Sequence, residues 1–322
     1  MAPLTATRAA SEAPSASESA VPTGHGRSRA RRSRRRRDTL AALAFLSPAL
    51  AALLLMRLYP MVRAVIDSLH RSLPGSTMPP RWVGLDNFDG LLHSSAFWQS
   101  VKQTLFFNVV VNPLQVIAAL AIAVLLSRRV PATKLWRTLI FIPSAVPLLG
   151  ATVLWGIALR PDGLVNGALG TLGIGAQPFL SSSGQVLWSI MLLASWVGVG
   201  YWMMFLIAGL QDIPPEYGEA AELDGAGPVR RFFDITLPLL RRPLLFVLVA
   251  DTVSNFVLFA PIQVLTRGGP QGSSNLLMYD LYHNAFDLSD PHMAAAELVL
   301  LLILMLAIVS VQFRLLRDVE DR

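Results

Sequence analysis

The 322-residue chain contains no cysteine. That removes disulfide frameworks, thiolate nucleophiles and Cys-ligated zinc or iron–sulfur centres. Lysine is nearly absent: Lys102 and Lys134 are the two present, and neither follows glycine or precedes serine or threonine. A phosphate-binding P-loop needs that context, because its lysine reaches the phosphates and the next hydroxyl holds magnesium. No ATP site is expected on this chain. The five histidines form no His-x-x-x-His pair and face no recognisable serine-nucleophile motif. No catalytic and no metal-binding residues are assigned. Charge is also scarce. Asp, Glu, Lys and Arg make up 15% of the residues, against about 25% in soluble domains.

What remains is apolar: 53% hydrophobic residues and a mean hydropathy of +0.51. So little charge cannot cover a water-soluble fold, so the bilayer is the expected solvent. Apolar runs lie near 39–59, 104–127, 138–159, 186–210, 239–265 and 294–313. Each suffices, at a rise of ~1.5 Å per residue, to cross a hydrocarbon core of ~30 Å. The runs are continuous rather than alternating, which argues against an outer-membrane barrel. The expected fold is all-α: a polytopic membrane bundle of about six helices, with the membrane domain over 39–316. Pro48, Pro113, Pro143, Pro147 and Pro261 fall inside the runs, where they permit kinks.

Residues 1–38 are rich in Ala, Ser, Pro and Arg and read as a disordered tail. Eight arginines crowd positions 27–37. As a topology anchor they would be drawn to anionic headgroups. A secretion signal of twin-arginine character is a second reading, since an apolar run follows. Nucleic-acid binding is a third, unsupported by any aromatic platform or reading fold; no nucleic-acid partner is expected. With the amino end inside, 20 of the 27 basic residues fall on the inner side and seven on the outer. Arginine and lysine resist translocation, so both termini, including the short tail 317–322, are expected in the cytoplasm.

The inner loop 211–238 differs from an ordinary connector. Pro214 and Pro215 suit a helix start, with Asp212 as a possible cap. Gly225, Gly227 and Pro228 should stop that helix before a second short one. Ala220 and Ala221 would expose a low-profile patch that a partner's groove can approach. Glu219 would set the register, and Phe232 and Phe233 would pin the second piece to the bundle.

Glu219-Ala220-Ala221, three residues, Gly225, nine residues, then Ile235-x-Leu237-Pro238 resembles the EAA signature of binding-protein-dependent ABC importer permeases. The likeness extends over residues 43–316. Leu58-Tyr59-Pro60, Val83-Gly84-Leu85-Asp86-Asn87-Phe88, Thr138-Leu139-Ile140-Phe141-Ile142-Pro143 and Leu265-Thr266-Arg267-Gly268-Gly269-Pro270 look like the carbohydrate branch, of maltose and glycerol-3-phosphate type. The resemblance implies that the loop is a coupling helix docked on a separate ATPase, through Glu219, Ala220, Ala221, Asp224, Gly225, Phe232, Ile235, Leu237 and Pro238. It also implies a second, homologous permease subunit, two cytoplasmic ATPase subunits holding ATP and magnesium, and an extracytoplasmic solute-binding protein. This chain itself would carry no cofactor and would lie in the inner membrane of a prokaryote, among membrane lipid. Gly227-Pro228 departs from the more usual polar and aromatic pair, which would alter the turn.

Sugars are neutral and rich in hydroxyls, so their path should offer amides, hydroxyls and aromatic faces. Trp196, Tyr201, Ser254, Asn255, Phe256 and Phe259 are the pathway candidates. Asn108, Asn112 and Gln115 read instead as polar glue between helices. A gradient-driven secondary transporter is the alternative reading, with Asp251 and Glu297 as its candidate carriers.

Overall fold

The computed structural model describes residues 42–72, 78–127 and 131–317. The expected basic tail, 1–38, and residues 318–322 lie outside them. The chain divides at Pro60 into two units. The first carries most of helix α1 (Ala42–Asp67), whose apolar side chains, Phe45 and Leu55 among them, are exposed. Such a surface is stable in lipid rather than water.

The second unit begins with the end of α1 and a small antiparallel hairpin, β1 (His70–Arg71) and β2 (Arg81–Trp82), paired His70 to Trp82. Asn87 clamps it by donating from Nδ2 to the Ser68 and His70 carbonyls at 2.8 and 2.7 Å. Helices α2 (Asp86–His93), α3 (Ser95–Ser127), α4 (Thr133–Ala145), α5 (Leu148–Ala158), α6 (Leu164–Thr171) and α7 (Val186–Gln211) follow. Next come α8 (Pro215–Leu223), the helical stretch α9 over 228–239, α10 (Arg241–Phe256), α11 (Leu277–Tyr282) and α12 (Pro291–Arg317).

Among the described residues, four helices are long and apolar enough to span a membrane: α1, α3, α7 and the Pro291–Leu315 part of α12; α4 with α5 makes a fifth if the pair is one span. Two of the expected spans are not continuous. The run 138–159 is bent by 95° between α4 and α5. Proline disfavours helical backbone in the residue before it; Val146, ahead of Pro147, is extended at φ −81°, ψ 129°. The run 239–265 stops at Phe256 and resumes as a wide turn, Ile262–Thr266. Pro261 has no N–H to give Val257, and its ring would crowd that carbonyl.

Helix α7 is the hub. It is uncharged along its whole length and packs against α3, α4, α5 and α10. Ala119, Ala123, Met203, Leu206 and Val247 form one core at the end of α7 nearer the 211–240 loop. Phe107, Val111, Ile190 and Leu276 form another toward its start. A third joins α3 and α12 through Phe97, Phe256, Leu277 and Leu301.

Candidate functional site: the 211–240 element

Helix α8 starts where proline costs nothing. Pro215 occupies the first helical position, whose N–H would have no intrahelical partner. Its end is a complete Schellman stop. The Ala226 N–H donates to the Ala221 carbonyl at 2.9 Å, and the Gly225 N–H to the Glu222 carbonyl at 3.0 Å. This geometry demands a left-handed residue, and Gly225 supplies it at φ +77°. The chain then reverses, and Gly227-Pro228 starts α9 with Pro228 again at the first helical position.

Arg231 closes the turn by donating from Nη1 to Glu222 Oε2 at 2.8 Å across the two arms. A second ion pair, Arg230 to Asp234 at 3.2 Å, lies along α9. Because Glu222 is largely exposed, salt screens the cross-arm pair and its worth is at most about 1 kcal/mol. Arg231→Gln is therefore expected to speed amide exchange over 222–231 a few-fold at low salt, and to leave it unchanged in 1 M salt. Equal acceleration in both buffers would show that Arg231 acts by packing instead.

Not every residue of the signature faces outward. Glu219 and Ala220 are exposed, but Ala221 is buried, so the expected Ala220–Ala221 docking patch is only half present. The reason is register. A helix with one buried seam cannot turn two adjacent positions, 100° apart, the same way. Asp224 and Gly225 are exposed, whereas Ile235, Leu237 and Pro238 are half-buried. Phe232 is half-buried and stacks edge-on with Phe233 at 5.0 Å. Phe233 itself is exposed, so of the two expected pins only Phe232 reaches inward. Sequence reasoning passed over the apolar side chains that protrude here: Tyr217, Val229 and above all Leu223, 90% exposed. Large apolar groups within a charged loop were the available signal.

The pathway candidates scatter. Trp196 packs edge-on against Trp155 at 5.8 Å. Tyr201 is partly exposed and contacts Trp202 and Phe205 at 4.8 and 5.1 Å. Ser254 is exposed, its hydroxyl turned back to the Ala250 carbonyl at 2.8 Å. Asn255 and Phe256 are buried inside the bundle, and Phe259 is half-buried against Tyr282 at 4.7 Å. An open groove of about 500 Å³ lies elsewhere, among Val153, Gly156, Arg160, Phe179 and Leu265. It borders the segment that leads into α7, so about 39 Å of helix, at 1.5 Å per residue, lies between it and the loop.

The chain resembles known proteins in sequence and in fold. Residues 115–322 match the family described as "Binding-protein-dependent transport system inner membrane component". The chain is 33% identical over 300 residues to the probable ABC transporter permease protein YesP of Bacillus subtilis, covering 91% of this chain and 96% of that one. It is 34% identical over 269 residues to the sn-glycerol-3-phosphate transport system permease protein UgpA of Yersinia pestis, covering 83% and 90%. In fold it resembles a chain of a bacterial alginate ABC transporter solved with an alginate pentasaccharide-bound periplasmic protein, with a TM-score of 0.78 at 20% identity over 88% of this chain and 96% of that one. With the family model matched over well more than half of the chain and relatives a third identical over most of its length, the chain belongs to the family of inner-membrane components of binding-protein-dependent transport systems.

Proposed function

We propose that this chain is one of two related permease subunits in an ATP-driven importer of a sugar, oligosaccharide or polyol derivative. A solute-binding protein outside the membrane hands over the solute. Two ATPase subunits in the cytoplasm bind ATP and magnesium, and their closure pushes on α8. The cavity then turns outward, and hydrolysis resets it. Both termini lie in the cytoplasm, where the excess of arginine holds them.

The observation that carries this reading is α8 itself. It is a short exposed helix bearing Glu219 and Ala220, anchored inward by Ala221 and stopped by Gly225. It stands between the two helices that lead back into the bundle. An element so placed passes a displacement to both. The sugar or polyol-derivative class is supported by the likeness to UgpA, whose name gives sn-glycerol-3-phosphate, a polyol phosphate, as the cargo of its system.

Reconstitution in vesicles tests it. The chain is paired with a second permease subunit and an ATPase subunit of the same system, and ATP hydrolysis is measured with and without the purified binding protein. The expected result is hydrolysis stimulated by the binding protein only when all components are present. Uphill uptake by the purified chain alone, on an ion gradient, would overturn the proposal in favour of a secondary transporter.

A further inference from the structure

The two helices that flank the 211–240 element are tied together, and the tie extends through the bundle. At the base, Gly209 of α7 lies so close to α10 that a Cβ there would stand 2.6 Å from Pro243 Cγ. Further along, Trp202 Nε1 donates to Asp251 Oδ1 at 2.6 Å, joining α7 to α10. Asn255, one turn on, donates from Nδ2 to Asp251 Oδ1 at 3.2 Å and to Asn112 Oδ1 on α3 at 2.7 Å. Asn112 donates in turn to Thr252 Oγ1 at 3.0 Å, and Gln312 of α12 donates to the same oxygen at 2.8 Å. Asp251, Thr252, Asn112 and Asn255 are all buried. The network thus crosses α3, α7, α10 and α12 within one slab of the bundle.

Helix α5 stands apart from it, whereas α4 is tied to α3, Arg137 Nη2 donating to the Leu126 carbonyl at 2.9 Å. The hydroxyls of Thr138, Ser144 and Thr152 bond only carbonyls of their own helices. The pair is broken by 95° at Val146–Pro147. A buried hydrogen bond resists sliding because parting its groups leaves both unsatisfied where water cannot replace them. Apolar contacts between α5 and its neighbours impose no such register.

We propose that Trp202, Asp251 and Asn112 are positioning residues. Through the Trp202–Asp251 bond they lock α3, α7, α10 and α12 into one body that moves as a unit when the loop is pushed, while α5 shifts against it. This rests on the importer reading above. In this role Asp251 needs to be an acceptor, not a charge.

The absence of native cysteine allows paired spin labels on the full complex in nanodiscs. One pair sits within the locked body, at Leu125 of α3 and Ile303 of α12; the other joins Leu154 of α5 to Leu192 of α7. All four side chains are exposed. Distances are read without nucleotide and after trapping with magnesium, ATP and vanadate. In the parent chain the α3–α12 distance is expected to stay fixed while the α5–α7 distance shifts. Trp202→Phe, which keeps an aromatic ring and removes the N–H, should make the α3–α12 distribution broaden on trapping. Asp251→Leu should do the same. Asp251→Asn keeps an oxygen for the indole and should behave as the parent. A parent chain whose α3–α12 distance moves on trapping overturns the proposal. So does an Asp251→Asn variant that behaves like Asp251→Leu, which would assign the work to the charge. If neither distance responds in a complex that still hydrolyses ATP, the importer reading falls too.

Discussion

Replacing Gly225 by proline is expected to abolish transport while leaving the protein in the membrane. Gly225 sits at φ +77° and gives its N–H to Glu222. Proline is held near φ −65° and has no N–H, so it fails on both counts, at a local cost of about 3 kcal/mol or more. The Schellman stop opens, and α8 and α9 lose the reversal that presents Glu219. Nothing within 4 Å of Gly225 would meet an added Cβ, so the loss is one of backbone shape, not of space. Gly225→Ala should be the milder variant, costing about 1–2 kcal/mol for a left-handed alanine. Glu219→Lys complements the test. Glu219 is exposed, so its reversal should change stability by less than ~0.5 kcal/mol, whereas a like-charge clash in an interface costs several kcal/mol. Binding-protein-stimulated ATP hydrolysis should fall about a hundredfold in Gly225→Pro and in Glu219→Lys, with unchanged membrane insertion; each tenfold corresponds to about 1.4 kcal/mol. Parent-level stimulation in both variants would remove the docking role from α8.

Gly200→Val is expected to prevent folding of the bundle. A Cβ at Gly200 would run into the Ile140 carbonyl oxygen, with Phe141 Cα only 3.2 Å away. The obstacle is the backbone of α4, which cannot rotate aside as a side chain can. Helices in lipid have little hydrophobic drive to associate and rely on such close approaches at small residues. Overpacking typically costs 1–3 kcal/mol, and a backbone clash should sit at about 3 kcal/mol or above. The measurement is the fraction of protein remaining folded and monodisperse after graded heating in detergent. Gly167→Ala is the control: nothing lies within 4 Å of it, and removing a glycine from mid-helix gains roughly 0.5–1 kcal/mol. Equal losses in the two variants would mean that the α4–α7 crossing is not what holds the bundle.

Much of this molecule is written locally. Long uncharged runs become helices because a chain in lipid must satisfy its own amides, and α3, α7 and α12 lie where apolar composition alone puts them. The stop at Gly225 was legible because only glycine takes a left-handed residue without penalty. The interruptions were harder. Proline announces a possible kink, yet whether a helix bends by 95° at Pro147 or carries Pro113 inside a continuous 33-residue helix depends on the neighbours. Neighbouring helices decide whether the freed carbonyl is re-satisfied.

Read residue by residue, the chain already dictates the helical membrane class, the placement of the long helices and the stop that ends α8. Each rests on short-range facts: composition, 3.6-residue periodicity and the φ preferences of glycine and proline. Long-range packing alone settles that Ala221 points inward while Ala220 points out, that Phe233 is exposed beside Phe232, and that Trp202 meets Asp251 across 49 positions. Hydrogen bonds and contacts between distant residues depend on how helices cross and rotate about their axes. Those angles are set by the summed packing of every side chain in the bundle, which no local stretch encodes.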